Sequence, residues 1–149
     1  MRIIEAPNQF DGRGPSLFLA GGVTGCADWQ AQLVAMLPRL DVTALNPRRR
    51  AFDIADDSAT VVQIEWEFHH LRKASAIAFW FPEESICPIA LFELGAWSER
   101  ATPLLVGAHS RYARRRDVVE QLRLARMGTP VAATLEELAA SIDAHFRVR

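Results

Sequence analysis

Residues 76–81 read Ala-Ile-Ala-Phe-Trp-Phe, six consecutive apolar residues closed by Pro82. A run this short, with no polar alternation, is what a strand covered on both faces looks like. Four more short runs read the same way: Ser16–Ala20 ahead of Gly21-Gly22, Val42–Leu45 stopped by Asn46-Pro47, Pro103–Val106 stopped by Gly107, and Val131–Ala133. Helical periodicity fills the intervals. Asp28–Leu37 carries Trp29, Leu33, Met36 and Leu37, with Asp28 as N-cap and Pro38 as terminator. Thr60 and Gln63 make a T-x-x-Q capping box ahead of Val61, Ile64, Phe68 and Leu71, which recur on one face. Pro88 opens a third helix running to about Arg100. A fourth spans Val118–Met127 with Gly128 after it, and a last carries Leu135, Leu138, Ile142 and Phe146. Residues 1–15 read as irregular, Arg48–Arg50 and Phe52–Asp57 as loop, and His109–Arg116 as a basic loop.

Five strands alternating with five helices predict an α/β fold. Expected is a flavodoxin-like (Rossmann-like) three-layer sandwich whose five-stranded parallel sheet has the order 2-1-3-4-5. Ligands in such sheets bind outside the carboxyl ends of the strands, at the switch point between strands 1 and 3. The loops after Ala20, Leu45, Phe81 and Val106 are therefore the places to look.

Composition sets outer bounds. The 149 residues predict one domain, half of them are hydrophobic, and the net charge is −1. That balance argues against a nucleic-acid coat protein, and the chain lacks an RNP-type aromatic motif. No apolar run approaches a membrane span, and the N-terminus has no signal-like apolar core. Cys26 and Cys87 are scattered, with no CxxC, which suggests thiols in a reducing, cytoplasmic setting.

Glu93 is the most informative residue. Its helical neighbours Ile89, Ala90, Ala96 and Trp97 are all apolar, and it is the only Asp, Glu, Lys, Arg or His between Glu84 and Glu99. Burying an unpaired charge is expensive, so this carboxylate is either desolvated or faces a cavity, and its place by the carboxyl edge of the sheet favours a functional role. The other reading is an acid favoured by the helix dipole, worth about 0.3–1 kcal/mol. Gly95, inside the same helix, marks either close packing on the sheet or close approach of a ligand.

The other candidates are weaker. Gly21-Gly22-Val23-Thr24-Gly25 lacks the G-x-G-x-x-G spacing, and the second strand ends in Asn46 where an acid would hold a ribose, so a nicotinamide dehydrogenase is excluded. Gln63, Glu67 and His70 share a helix face opposite the apolar stripe, which reads as a solvated face or, alternatively, as a cleft wall with Glu67 as a second carboxylate. His69 and His70 with Glu65 or Glu67 do not make H-E-x-x-H, so no metal site is expected. Cys87 reads as a buried or cap-position thiol. Arg48–Arg50 and Arg111, Arg114, Arg115 and Arg116 are solvated loops or anion and subunit contacts.

Phe-Leu-Ala-Gly-Gly after the first strand, Asn-Pro-Arg-Arg after the second and Phe-Glu-Leu-Gly-Ala in the third helix together resemble the nucleoside 2-deoxyribosyltransferase family. Asp28-Trp29-Gln30, Gln63-Ile64-Glu65-Trp66-Glu67 and Phe79-Trp80-Phe81-Pro82 point to one branch of it, over roughly Ser16–Gln121. The resemblance implies that Glu93 is a nucleophile attacking the anomeric carbon and expelling the base, after which a second base or water takes the sugar with retention. It implies that Glu67 protonates or holds the base. It also implies that Gly21, Gly22, Asp28, Asn46, Arg48, Gln63 and Phe81 line the pocket. A family tyrosine is Phe18 here, a family aspartate is Ser75, and an acid six residues before the nucleophile is Cys87, for which Glu83 or Glu84 offers a replacement. Members are oligomers in which a neighbour completes each site, with the Tyr112 and Arg114 loop as the candidate. The resemblance implies a nucleoside or nucleotide substrate and no cofactor. Alternatives on the same fold are a nucleotide N-glycoside hydrolase and a non-enzymatic nucleotide-binding module.

Overall fold

The computed structural model describes residues 1–49 and 57–147. Its elements are β1 (Arg2–Glu5), β2 (Ser16–Gly21), α1 (Trp29–Met36), β3 (Thr43–Asn46), α2 (Asp57–Lys73), β4 (Ala76–Phe81), α3 (Pro88–Ser98), β5 (Leu104–Ala108), α4 (Arg115–Ala125), β6 (Val131–Ala132) and α5 (Leu135–Arg147). The sheet has six strands in the order β1-β3-β2-β4-β5-β6, and every pairing is parallel. The five expected strands pair in the expected sequence. The correction is β1, which extends the sheet beyond β3 from a segment read as irregular.

Alternate residues of each strand feed two apolar layers. Phe18, Leu45, Ile77, Phe79, Phe81 and Val106 pack under α2, α3 and α4 through Trp66, Leu94, Trp97, Val118 and Leu122. Leu17, Leu19, Ala44, Ala78 and Trp80 pack against α1 and α5 through Trp29, Leu33, Leu138 and Ile142. β4 is buried at all six positions, as its composition requires. Gly107 does not end β5 but lies within it, because the Trp80 ring of the neighbouring strand would meet any Cβ there.

α2 is turned relative to the expectation. Val61, Ile64 and Phe68 are 54%, 58% and 49% exposed, and of the expected stripe only Leu71 is buried. The buried face is instead Trp66, His70 and Leu71, flanked by half-buried Gln63 and Glu67. The segment after β1 causes this. Trp66 Nε1 donates to Asn8 O (2.7 Å), the Phe10 amide donates to His70 Nε2 (3.1 Å), and Lys73 Nζ donates to Phe10 O (3.3 Å). His70 Nδ1 lies 2.7 Å from Trp66 O, and the two rings stack with centroids 4.0 Å apart. A helix that offers an indole and an imidazole to a buried backbone segment satisfies polar groups no aliphatic stripe could serve. α2 begins at Asp57, so Thr60 and Gln63 lie inside the helix and form no capping box. The expected loop residues Arg50 and Phe52–Asp56 lie outside the described residues.

Candidate active site

Glu93 sits in the second turn of α3, which Pro88 starts at the carboxyl edge of β4. Its side chain is half-buried, and no hydrogen bond or ion pair reaches it among the described residues. Desolvation first, and the charge of Glu67 second, push its carboxyl up to about 8. The two carboxylates are therefore electrostatic neighbours although they belong to different helices. Burial also raises Glu67, opposed by its hydrogen bond from Gln63. Gln63 Nε2 donates to Glu67 Oε1 and to Pro47 O, both at 2.8 Å. One amide thus ties the second carboxylate to the loop after β3. Two neighbouring, poorly hydrated carboxyls each make ionisation of the other harder, and only Glu67 has a hydrogen bond that favours its charged form.

The structure brings most of the other candidates to the same end of the sheet, in varied states. Asp28 caps α1 by accepting from the Ala31 amide (3.0 Å). Arg48 donates to Gln30 Oε1 (2.9 Å) and Ala27 O (3.0 Å) and lies 3.5 Å from Asp28, pinning the β2–α1 loop. Asn46 Oδ1 accepts from the Arg48 amide. Gly21 and Gly22 are needed for packing. A Cβ on Gly21 would strike Trp80 O, and one on Gly22 would meet Cys26 and Cys87. Phe81 is fully buried, between Phe79 and Tyr112.

Glu83 and Glu84 are exposed. Glu83 is held by Nε and Nη2 of Arg111, and that hydrogen bonding keeps its carboxyl below the ordinary range. Tyr112 is turned inward, its hydroxyl donating to Ile86 O at 2.7 Å and its ring against Phe81. Arg114 pairs with Asp117 on the surface. Arg115 is structural, donating to Ala108 O and Ala132 O.

The sequence model of the nucleoside 2-deoxyribosyltransferase-like family matches residues 14–112, about two thirds of the chain. The chain belongs to this family. No curated protein matches it closely enough to count as a relative. Within this deoxyribosyltransferase-like chain, the three departures fall in different places. Ser75 lies at the amino edge of the sheet, exchanging hydrogen bonds with Ser16 (3.1 and 3.2 Å), opposite the end that carries Glu93. Phe18 is in the core beside Trp66. Cys87 alone stands at the site's edge, as the buried N-cap of α3.

Sequence reasoning placed Gln30 only within a motif and Arg111 only within a basic cluster, and missed their roles: Gln30 holds Arg48, and Arg111 occupies Glu83. Neither role carries a local signal, since each residue acts on one distant in the chain. Among the described residues no group of three or more His, Cys, Asp or Glu is arranged to hold a metal ion. No helix there is long and apolar enough to cross a membrane.

Proposed function

We propose that the protein cleaves or transfers the N-glycosidic bond of a nucleoside or nucleotide, with Glu93 as nucleophile and Glu67 as the acid that serves the departing base. What supports this reading is that two half-buried carboxyls, Glu67 on α2 and Glu93 on α3, lie close enough for the charge of one to raise the other. The pair enters the reaction with one proton. As substrate binds, the proton that burial keeps on Glu93 passes to Glu67; the ionised Glu93 then attacks the anomeric carbon, the glycosidic bond to the base breaks, and the proton moves from Glu67 to the base nitrogen. The sugar is then esterified to Glu93. A second base or water attacks the same carbon from the vacated face, and Glu67 takes the incoming proton. Gln63 positions Glu67 throughout. Carboxylates, sugar and base supply the chemistry without a cofactor.

The working unit in this reading is a homo-oligomer. Ile64 lies one turn before Glu67 and Ile89 one turn before Glu93, and Ile64, Phe68, Ile89 and Phe92 are 58%, 49%, 66% and 75% exposed. These two apolar stripes border the carboxylates, and a second copy laid over them would close the site against water. The Tyr112 loop is less suited to that contact, because its ring is already used within the protomer.

The test is to supply a 2′-deoxynucleoside together with a different free base. A new nucleoside means transfer, and free sugar means hydrolysis. Absence of turnover across nucleosides and nucleotides would overturn the catalytic reading.

A further inference from the structure

Gly22, in the turn after β2, separates two thiols that the glycosyl chemistry does not use. A Cβ built on it would lie 2.8 Å from Sγ of Cys26 and 2.9 Å from Sγ of Cys87. The sulfurs are therefore no farther apart than those two reaches laid end to end, with only the bare side of a glycine between them. Both cysteines are free; Cys26 Sγ contacts Thr24 O (3.3 Å), Cys87 Sγ contacts Ser85 O (3.4 Å), and the Ser85 side chain lies within reach of both sulfurs. Their settings differ. Cys26 is half-buried on the β2–α1 loop, where a small reagent reaches it, while Cys87 is buried at the head of α3 in a left-handed conformation with φ 51°.

The geometry points to a dithiol–disulfide pair, in which a small-molecule disulfide oxidises Cys26 and Cys87 to one intramolecular bond that ties the β2–α1 loop to the helix carrying Glu93. The Cys26 thiolate attacks the disulfide RSSR and releases one RS⁻. The Cys87 thiolate then attacks Sγ of Cys26 and expels the second RS⁻. The two thiol protons end on two RSH, and the two electrons the protein loses reduce the one disulfide. Reaching a sulfur–sulfur bond of about 2.05 Å asks for closure of the gap beside Gly22. Cys26 faces Ser85, Glu84 and Arg48, and Cys87 faces Ser85, Cys26, Glu84 and the Tyr112 hydroxyl. Burial keeps both thiols protonated at neutrality, so the exchange is run in mildly alkaline buffer.

The full chain is incubated with oxidised glutathione, then analysed by intact mass and thiol titration without reductant. Wild type is expected to lose both thiols, to lose two hydrogens in mass while remaining uncrosslinked, and to regain both with dithiothreitol. Cys87→Ser is expected to stop at a stable glutathione adduct on Cys26. On oxidation the thermal midpoint should rise in wild type only, because the bond closes a long loop of the unfolded chain. A persistent glutathione adduct on wild type, two unreacted thiols, or a crosslinked dimer would overturn the proposal. Should Cys87→Ser fail to fold, the wild-type mass decides alone.

Discussion

Gln63 donates from one nitrogen to both Glu67 and the Pro47 carbonyl, at 2.8 Å each, so the carboxylate of α2 is fixed to the loop that ends β3. A hydrogen bond to a charged group is worth about 1.5–3 kcal/mol, on the order of ten- to a hundredfold in rate if it is needed in the transition state. Gln63→Leu should lower kcat by about that factor. Because the bond favours ionised Glu67, its loss should also move the acid limb of the pH–rate profile upward. An unchanged limb would mean that Gln63 only packs.

The Glu93 carboxyl predicts a second profile. Its folded value of about 8 lies above the unfolded 4.5, so the native state holds a proton that the unfolded state has released between those values. Stability should fall as pH rises through that window and level off above it. Glu93→Gln, which stays neutral, should remove this part of the fall and raise the thermal midpoint at pH 9. The same titration should set the alkaline limb of activity near pH 8, where the pair loses its proton.

His70 works in the opposite direction. It accepts from the Phe10 amide, and burial lowers its value below 6.5. The folded chain therefore resists a proton that the unfolded chain takes, and stability should drop as pH falls from about 6.5 toward the lowered folded value. His70→Leu should flatten that drop. At neutral pH it should also cost about 1–3 kcal/mol for the stranded Phe10 amide, read by denaturant unfolding.

The paired carboxylates were legible in part, and the reasons are local. Glu93 stood out because it is the single acid in an apolar stretch, and helix periodicity alone gives it those neighbours. Glu67 read either as a member of a solvated face or as a cleft wall, and only the family resemblance gave it a role. The segment that buries this face, from Asn8 to Phe10, lies more than fifty residues upstream and carries no periodic signal. The same hidden contact turned Val61, Ile64 and Phe68 outward. β1 went unread because four residues beside Pro7 are too few to show alternation, and its place comes from pairing with β3. β2, β3, β4 and β5 were visible because burial on both faces leaves a nearly continuous apolar run, whereas the half-buried β6 showed only as a short apolar stretch after Gly128.

Gly95 corrects another expectation. A Cβ there would meet nothing within 4 Å, so neither packing on the sheet nor contact within the protomer requires glycine. Gly95→Ala should stabilise the isolated chain by up to about 1 kcal/mol. Lost activity without lost stability would place a ligand or second copy against this turn.

The apolar stripes make an assembly prediction. Phe92→Lys or Ile64→Lys should leave the fold intact, shift sedimentation toward monomer and reduce turnover together. A wild-type chain that sediments as a monomer at working concentrations would refute the covered site.

The central claim is that Glu93 carries the sugar. Acid quenching during turnover of a 2′-deoxynucleoside, followed by peptide mapping, should find a deoxyribosyl mass on the peptide containing Glu93, and Glu93→Gln should abolish both adduct and turnover. An adduct on another residue, or a Glu93→Gln protein that turns over at the wild-type rate, would contradict it.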